Sequence, residues 1–128
     1  MKRDMELVRK ILIKLEEKDD QSPFLPIEGY SNEETGYHCS IMYDYGLVQN
    51  FSTTAGGNNP YCVFYVSELS WKGHDFLDKV RDDGTWKRTL STIKEKGLDM
   101  SIKTIGTIAT AFITAATEGA VNAIINKK

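Results

Sequence analysis

Apolar residues recur every three or four positions along several parts of the chain, and this spacing predicts helices. The first such run comprises Met5, Val8, Ile11, Leu12 and Leu15, with Lys, Arg and Glu filling the positions between them. It predicts an amphipathic helix from about Asp4, a candidate N-cap, to about Lys18. The Ser22-Pro23 step then ends the helix, because the residue before a proline disfavours helical geometry.

The middle of the chain predicts a second helix followed by a β-hairpin. Ser31 and Glu34 match a capping box, and Gly46 is a candidate helix-ending glycine. The buried stripe of this helix is expected at Tyr37, Ile41, Met42 and Tyr45, with His38 beside it. Residues 47–52 and 61–69 are rich in β-branched and aromatic residues, and the turn-forming run TTAGGNNP between them predicts a hairpin with a mobile tip. The short segment FLPIEGY, residues 24–30, is at best an edge strand because of Pro26.

Two more helices are predicted after the hairpin. Ser70 is expected to cap the first, with Phe76, Leu77 and Val80 as its buried ridge and Gly84 at its end. The charged residues around that ridge, His74 included, are expected on its solvated face. Thr85 is expected to cap the next helix, which Gly97 ends, and its inward positions are Trp86, Leu90 and Ile93.

The tail predicts one long, apolar helix over residues 99–126. Its length approaches that of a membrane span, but Glu118, Asn122 and five threonines dilute it. A ridge of small residues at four-residue spacing consists of Ala111, Ala115, Gly119 and Ala123. Such ridges allow helices to approach closely, in membranes and in water. We therefore expect a packing or oligomerisation helix, with membrane association as the less favoured alternative.

The order of elements defines the expected fold. Helix, short strand, helix, β-hairpin and helix is the order of a winged-helix domain, so the sequence predicts an α+β, winged-helix-like domain over residues 1–97 and a C-terminal helical segment over residues 98–128. One feature departs from that pattern. A complete helix-turn-helix needs two helices before the hairpin, and residues 19–45 have room for one clear helix.

Charge changes the functional expectation. Residues 19–70 carry seven acidic residues and no Lys or Arg, although the whole chain of 128 residues has a net charge of only −2. The candidate recognition helix, residues 31–45, and the candidate wing, residues 49–61, therefore lack the cations that neutralise phosphates. A protein partner is preferred over DNA for this reason. DNA binding remains the alternative, through the cations Arg3, Lys10, Lys87 and Arg88.

No catalytic, metal or cofactor site is predicted. A metal site would need His38, Cys39, Cys62 and His74, but adjacent His38 and Cys39 point about 100° apart on a helix, and Cys62 is expected to face the core from a strand. His74 with Asp75 or Asp78 lacks a nucleophile and a pocket. The two cysteines, without an export signal, indicate free thiols in the cytoplasm.

Three blocks, MKRDMELVRKIL, EGYSNEETGYHCSIMYDYGLV and LSWKGHDFLDKVRDDGTW, together resemble a family of small phage and prophage proteins, domain of unknown function 2513. The resemblance covers roughly residues 1–95. It implies a winged-helix-like fold and a phage or bacterial origin, and it implies no activity. The expected function is a non-enzymatic module that binds a macromolecule, with a protein partner preferred.

Overall fold

The computed structural model describes residues 1–19, 25–53 and 60–125, in which five helices and two strands are seen. In chain order these are α1 (Met5–Glu17), α2 (Asn32–Tyr45), β1 (Phe51–Thr53), β2 (Phe64–Val66), α3 (Trp71–Val80), α4 (Asp83–Lys96) and α5 (Ile102–Ile125). This composition confirms the α+β class. The chain divides into two compact units, Met1–Leu77 and Asp78–Lys128. The domain boundary expected after residue 97 falls between α4 and α5, inside the second unit.

The ends of α1 and α2 follow the capping signals in the sequence. The Asp4 carboxylate accepts hydrogen bonds from the backbone N–H groups of Glu6 (2.9 Å) and Leu7 (3.3 Å), which otherwise lack helical partners. At α2 the capping box is complete, because the Glu34 N–H donates to Ser31 Oγ and the Ser31 N–H donates to Glu34 Oε1. Gly46 ends α2 in the left-handed conformation, at φ 97°.

The buried face of α2 differs from the expected stripe. Met42 is buried as expected, but Tyr37 and Ile41 are half-buried and Tyr45 is exposed. The residues that fill the interior are Thr35, Gly36, His38, Cys39 and Met42. The expectation was wrong because it followed the large apolar side chains, whereas close packing of this helix uses small and polar residues that find partners within the core.

The hairpin is confirmed but is shorter than the sequence indicates. Phe51 lies opposite Val66, Ser52 opposite Tyr65 and Thr53 opposite Phe64 in one antiparallel pair. A separate bridge joins Val48 to Leu69. The hairpin tip lies within residues 54–59, outside the described part of the chain.

Two expectations about strands are corrected. Cys62 lies before β2 and is exposed, so it does not face the core as expected. Residues 25–30, the described part of the expected short strand, contain a turn and no strand, with the Tyr30 N–H donating to the Ile27 carbonyl. Pro26 supplies no N–H for a ladder, and Leu25 and Ile27 are nevertheless buried.

The first turn of α3 lies directly against the C-terminal end of α2. Ser70 caps α3 by accepting from the Gly73 N–H (3.0 Å), and its hydroxyl donates to the Gly46 carbonyl. The Ser70 N–H also donates to the Leu47 carbonyl, at 2.9 Å. A Cβ atom at Gly73 would lie 2.1 Å from the Leu47 oxygen, so only glycine allows this approach. The ridge of Phe76, Leu77 and Val80 is buried and His74 is exposed, as the sequence predicts.

The second unit contains α4 and the long helix α5. Asp82, not Thr85, caps α4: its carboxylate accepts from the Thr85 N–H at 2.8 Å, so Gly84 lies inside the helix. The expected cap was wrong because the Asp82 carboxylate, next to Asp83, is a stronger acceptor at a helix start than the Thr85 hydroxyl. Trp86 and Ile93 are buried and Leu90 is half-buried, and Gly97 ends the helix at φ 64°. The tail forms one uninterrupted helix of 24 residues, as expected.

We expect Gly73→Ala to destabilise the protein by about 1–3 kcal/mol. The new methyl group would meet the Leu47 backbone oxygen, which cannot move without separating α2 from α3. Gly106→Ala is the matched control. It makes the same change inside a helix, but its Cβ would meet only the Lys79 side chain at 3.9 Å, so a gain of about 0.5–1 kcal/mol is expected. Urea unfolding followed by circular dichroism measures both; equal effects would contradict the close approach at Gly73.

Candidate interaction surfaces

His38 joins the N-terminal end of α1 to α2. The Asp4 N–H donates to His38 Nε2 at 2.8 Å, and Nδ1 donates to the Glu34 carbonyl at 2.7 Å. Both ring nitrogens are therefore occupied in the neutral form of the side chain, which is 2 % exposed. The Tyr30 hydroxyl donates to the Asp4 carboxylate at 3.1 Å, and burial together with this bond raises the pKa of Tyr30. The cluster is a structural joint between the two helices.

The four residues considered for a metal site are not brought together. His38 and Cys39 are buried, whereas Cys62 and His74 are exposed, and His74 Nδ1 lies 3.8 Å from the Glu16 carboxylate. Within residues 1–19, 25–53 and 60–125, no three His, Cys, Asp or Glu side chains form a group that could hold a metal ion. Burial raises the pKa of the Cys39 thiol to about 12, so this cysteine is not a nucleophile at neutral pH.

The four cations considered for nucleic-acid contact are all exposed, and they divide between the two units. Arg3 and Lys10 belong to the first unit, where the Lys10 ammonium lies 5.5 Å from the centre of the Tyr30 ring. Lys87 and Arg88 belong to the second unit, where the Arg88 guanidinium lies 4.5 Å from the centre of the Phe112 ring. Two of the four cations therefore already contact aromatic rings.

The outer half of α5 exposes apolar side chains of the second unit, among them Ile113, Ile124 and Ile125. Ile105, Gly106 and Ala109 are buried where α5 packs on α4. The predicted ridge of Ala111, Ala115, Gly119 and Ala123 is exposed, and a Cβ atom at Gly119 would meet nothing within 4 Å. By length and composition α5 could cross a membrane, and only 6 % of its most apolar part is buried in the protein, so it is not a core helix. The ridge is thus open to a partner.

Trp71 forms a second exposed surface that the sequence pattern did not single out. Its side chain is 85 % exposed at the first position of α3, beside the end of α2. Lys72 turns toward α2, with its ammonium 3.9 Å from the centre of the Tyr45 ring and bonded to the Tyr45 carbonyl. A helical projection would have revealed the exposed tryptophan, because Trp71 lies about 180° around the helix from the buried Val80.

These features define a small α+β protein with two exposed apolar surfaces and a buried polar joint. The chain belongs to the family described as Hypothetical protein (DUF2513), whose profile matches residues 2–99. It is similar to an uncharacterized protein of Haemophilus influenzae (strain ATCC 51907 / DSM 11121 / KW20 / Rd). The two are 32 % identical over 117 residues, which cover 89 % of this chain and 97 % of the relative. No solved structure matches the chain.

We expect the two thiols to react at very different rates. Cys62 is exposed, whereas Cys39 is fully buried and its raised pKa leaves almost no thiolate at pH 8. Ellman's reagent should therefore modify one thiol per chain rapidly in the native protein and the second only after urea is added. In Cys62→Ser the fast reaction should disappear, and in Cys39→Ser it should remain. Two fast thiols in the native protein would contradict the burial of Cys39.

Proposed function

We propose that this chain is a non-enzymatic, cytoplasmic protein-interaction module, and that the outer half of α5 binds a second copy of the chain. The observation that carries the proposal is the exposure of that half, in which Ile113, Ile124 and Ile125 are 38 %, 74 % and 68 % exposed. Exposed apolar surface of this kind is uncommon on a monomer in water, and a helix that is apolar on all sides is normally buried. An assembly in which these residues are covered would remove the exposed apolar surface and bury the helix.

The packing of α5 on α4 favours a protein partner over a bilayer. The inner part of the helix, through Phe112, lies against α4, so residues 113–125 are what remains to enter a membrane. They provide about 20 Å of helix, short of the roughly 30 Å of a bilayer core. Glu118 and Asn122 lie within that part, and a charge there would be costly in lipid.

The small-residue ridge indicates how two copies would meet. The Cβ atoms of Ala111 and Ala115, and the bare backbone of Gly119, would let two helices approach more closely than Leu or Ile would. Ile113 and Ile124 lie on the opposite side of the helix from this ridge and Ile125 flanks it, so the apolar surface extends around α5. This arrangement favours a dimer or a larger oligomer in which more than one side of α5 is covered.

A regulator that binds DNA is the alternative, and the distribution of charge argues against it. No cation lies within residues 19–70, which include α2 and the hairpin, and the exposed cations of α1 and α4 belong to separate units. Phosphate neutralisation supplies most of the affinity of DNA-binding proteins, so this surface would bind DNA poorly. A reducing cytoplasm is consistent with two free cysteines, one of them exposed.

The oligomer is tested by multi-angle light scattering on the intact chain and on two single-residue variants. We expect the intact chain to be a dimer or larger, and Ala115→Lys to be a monomer because an ammonium group would be buried at the point of closest approach. Thr107→Lys is the matched control, since it adds the same charge at an exposed position of the inner half of α5. It should leave the oligomer unchanged. An intact chain that is monomeric at all concentrations would overturn the proposal.

We expect the chain to bind DNA only weakly, and measuring this binding tests the DNA-binding alternative. Fluorescence anisotropy with a labelled random-sequence duplex at 50 mM and 200 mM salt should give no submicromolar affinity at the higher concentration, because residues 19–70, which include α2 and the hairpin, carry no Lys or Arg. Lys87→Ala should then have no effect. Submicromolar binding with a steep salt dependence that Lys87→Ala reduces would support the DNA-binding alternative instead.

A further inference from the structure

Trp71 is exposed for no reason that the fold requires. Phe76, Leu77 and Val80 supply the buried ridge of α3, and Ser70 and Gly73 supply its contact with the end of α2. Trp71 lies about 180° around α3 from Val80, and its side chain is 85 % exposed. Large exposed aromatic side chains of this kind are enriched at protein-protein interfaces, where they carry much of the binding energy.

The charge beside Trp71 indicates the chemistry of its partner. Asp75 follows Trp71 by four residues, so the two side chains are neighbours on one exposed face of α3, with Cβ atoms about 5–6 Å apart. Among the residues that the structure describes, Asp75 has no ion-pair partner. Two cations of α3 lie within about one turn of Asp75. Lys72 is directed toward Tyr45, and the Lys79 ammonium lies 3.9 Å from where a Cβ atom at Gly106 of α5 would be. The exposed pair is therefore an aromatic face with an adjoining negative charge.

An arginine side chain complements such a pair. Its planar guanidinium stacks on an indole ring and at the same time donates to a carboxylate, which the compact ammonium of lysine does less well. The first unit as a whole adds attraction for a cationic segment, because residues 1–77 contain twelve Asp and Glu against seven Lys and Arg, a net charge of −5.

We propose that Trp71 and Asp75 form a docking surface for an arginine-bearing segment of another protein, with the guanidinium stacked on the indole and bonded to the carboxylate. The proposal rests on the proposed role of the chain as a protein-interaction module, and it concerns a surface separate from α5. A second copy bound at Trp71, or nucleic acid, would be different occupants, and the experiment below distinguishes them.

The test uses the full chain labelled with ¹⁵N and an acetylated tetra-arginine amide as the probe. The two indole N–H signals report on Trp71, which is 85 % exposed, and on Trp86, which is 3 % exposed; Trp71→Leu assigns them. We expect the Trp71 signal to shift with peptide concentration while the Trp86 signal stays fixed. Tetra-citrulline, which has the same shape without the charge, should produce no shift. Tetra-lysine should bind more weakly than tetra-arginine.

Asp75→Asn should weaken binding of tetra-arginine by about two- to fivefold, the effect of losing one exposed ion pair. Glu95→Gln is the control, because it makes the same change in net charge at an exposed position of α4. Equal losses in both variants, or equal shifts at both tryptophans, would overturn the proposal in favour of non-specific attraction. A Trp71 signal that depends on protein concentration alone, or that shifts with a DNA duplex and not with the peptide, would also overturn it. A chain that is monomeric by light scattering but binds the peptide through Trp71 would refute self-association and leave this proposal intact.

Discussion

The approach of α3 to the end of α2 is the constraint on which much of the first unit depends. Gly73 lies so close to the Leu47 carbonyl that no side chain fits between them. This proximity lets one serine, Ser70, cap α3 and donate to the Gly46 carbonyl, which the end of α2 leaves without a helical partner. The left-handed conformation of Gly46 turns the chain into the hairpin at the same point. A single close contact thus fixes the end of one helix and the start of another.

The opposite end of α2 is fixed by polar groups. His38 accepts from the Asp4 backbone N–H, while the Asp4 carboxylate caps α1 and accepts from Tyr30. Because every donor in this cluster has an acceptor, a buried histidine is tolerated without a charge. The hairpin also approaches α2 closely, since a Cβ atom at Gly36 would lie 2.4 Å from the Tyr61 carbonyl oxygen. Glycine and histidine therefore determine the packing of α2 more than its large apolar residues do.

This explains which parts of the structure could be predicted from the sequence. Caps and helix ends at Asp4, Ser31, Gly46 and Gly97 depend on neighbouring residues in the chain, and they agree with the pattern. The buried face of α2 and the exposure of Cys62 depend on contacts between distant segments, which periodicity does not encode. The cap at Asp82 was missed for a local reason, since two adjacent aspartates and a threonine all qualify as helix starts.

The two interaction surfaces also differ in how far the sequence alone reveals them. The α5 ridge is visible in the sequence because it repeats every four residues, whereas Trp71 looks like an ordinary core residue until its helix is aligned on the buried ridge. The family match covers residues 2–99, so it includes Trp71 and Asp75 but none of α5. The profile therefore covers the exposed face of α3 and stops before α5. Within that region His38 is buried and bonded through both ring nitrogens to the protein itself, whereas Trp71 and Asp75 are exposed on α3 and can meet a partner.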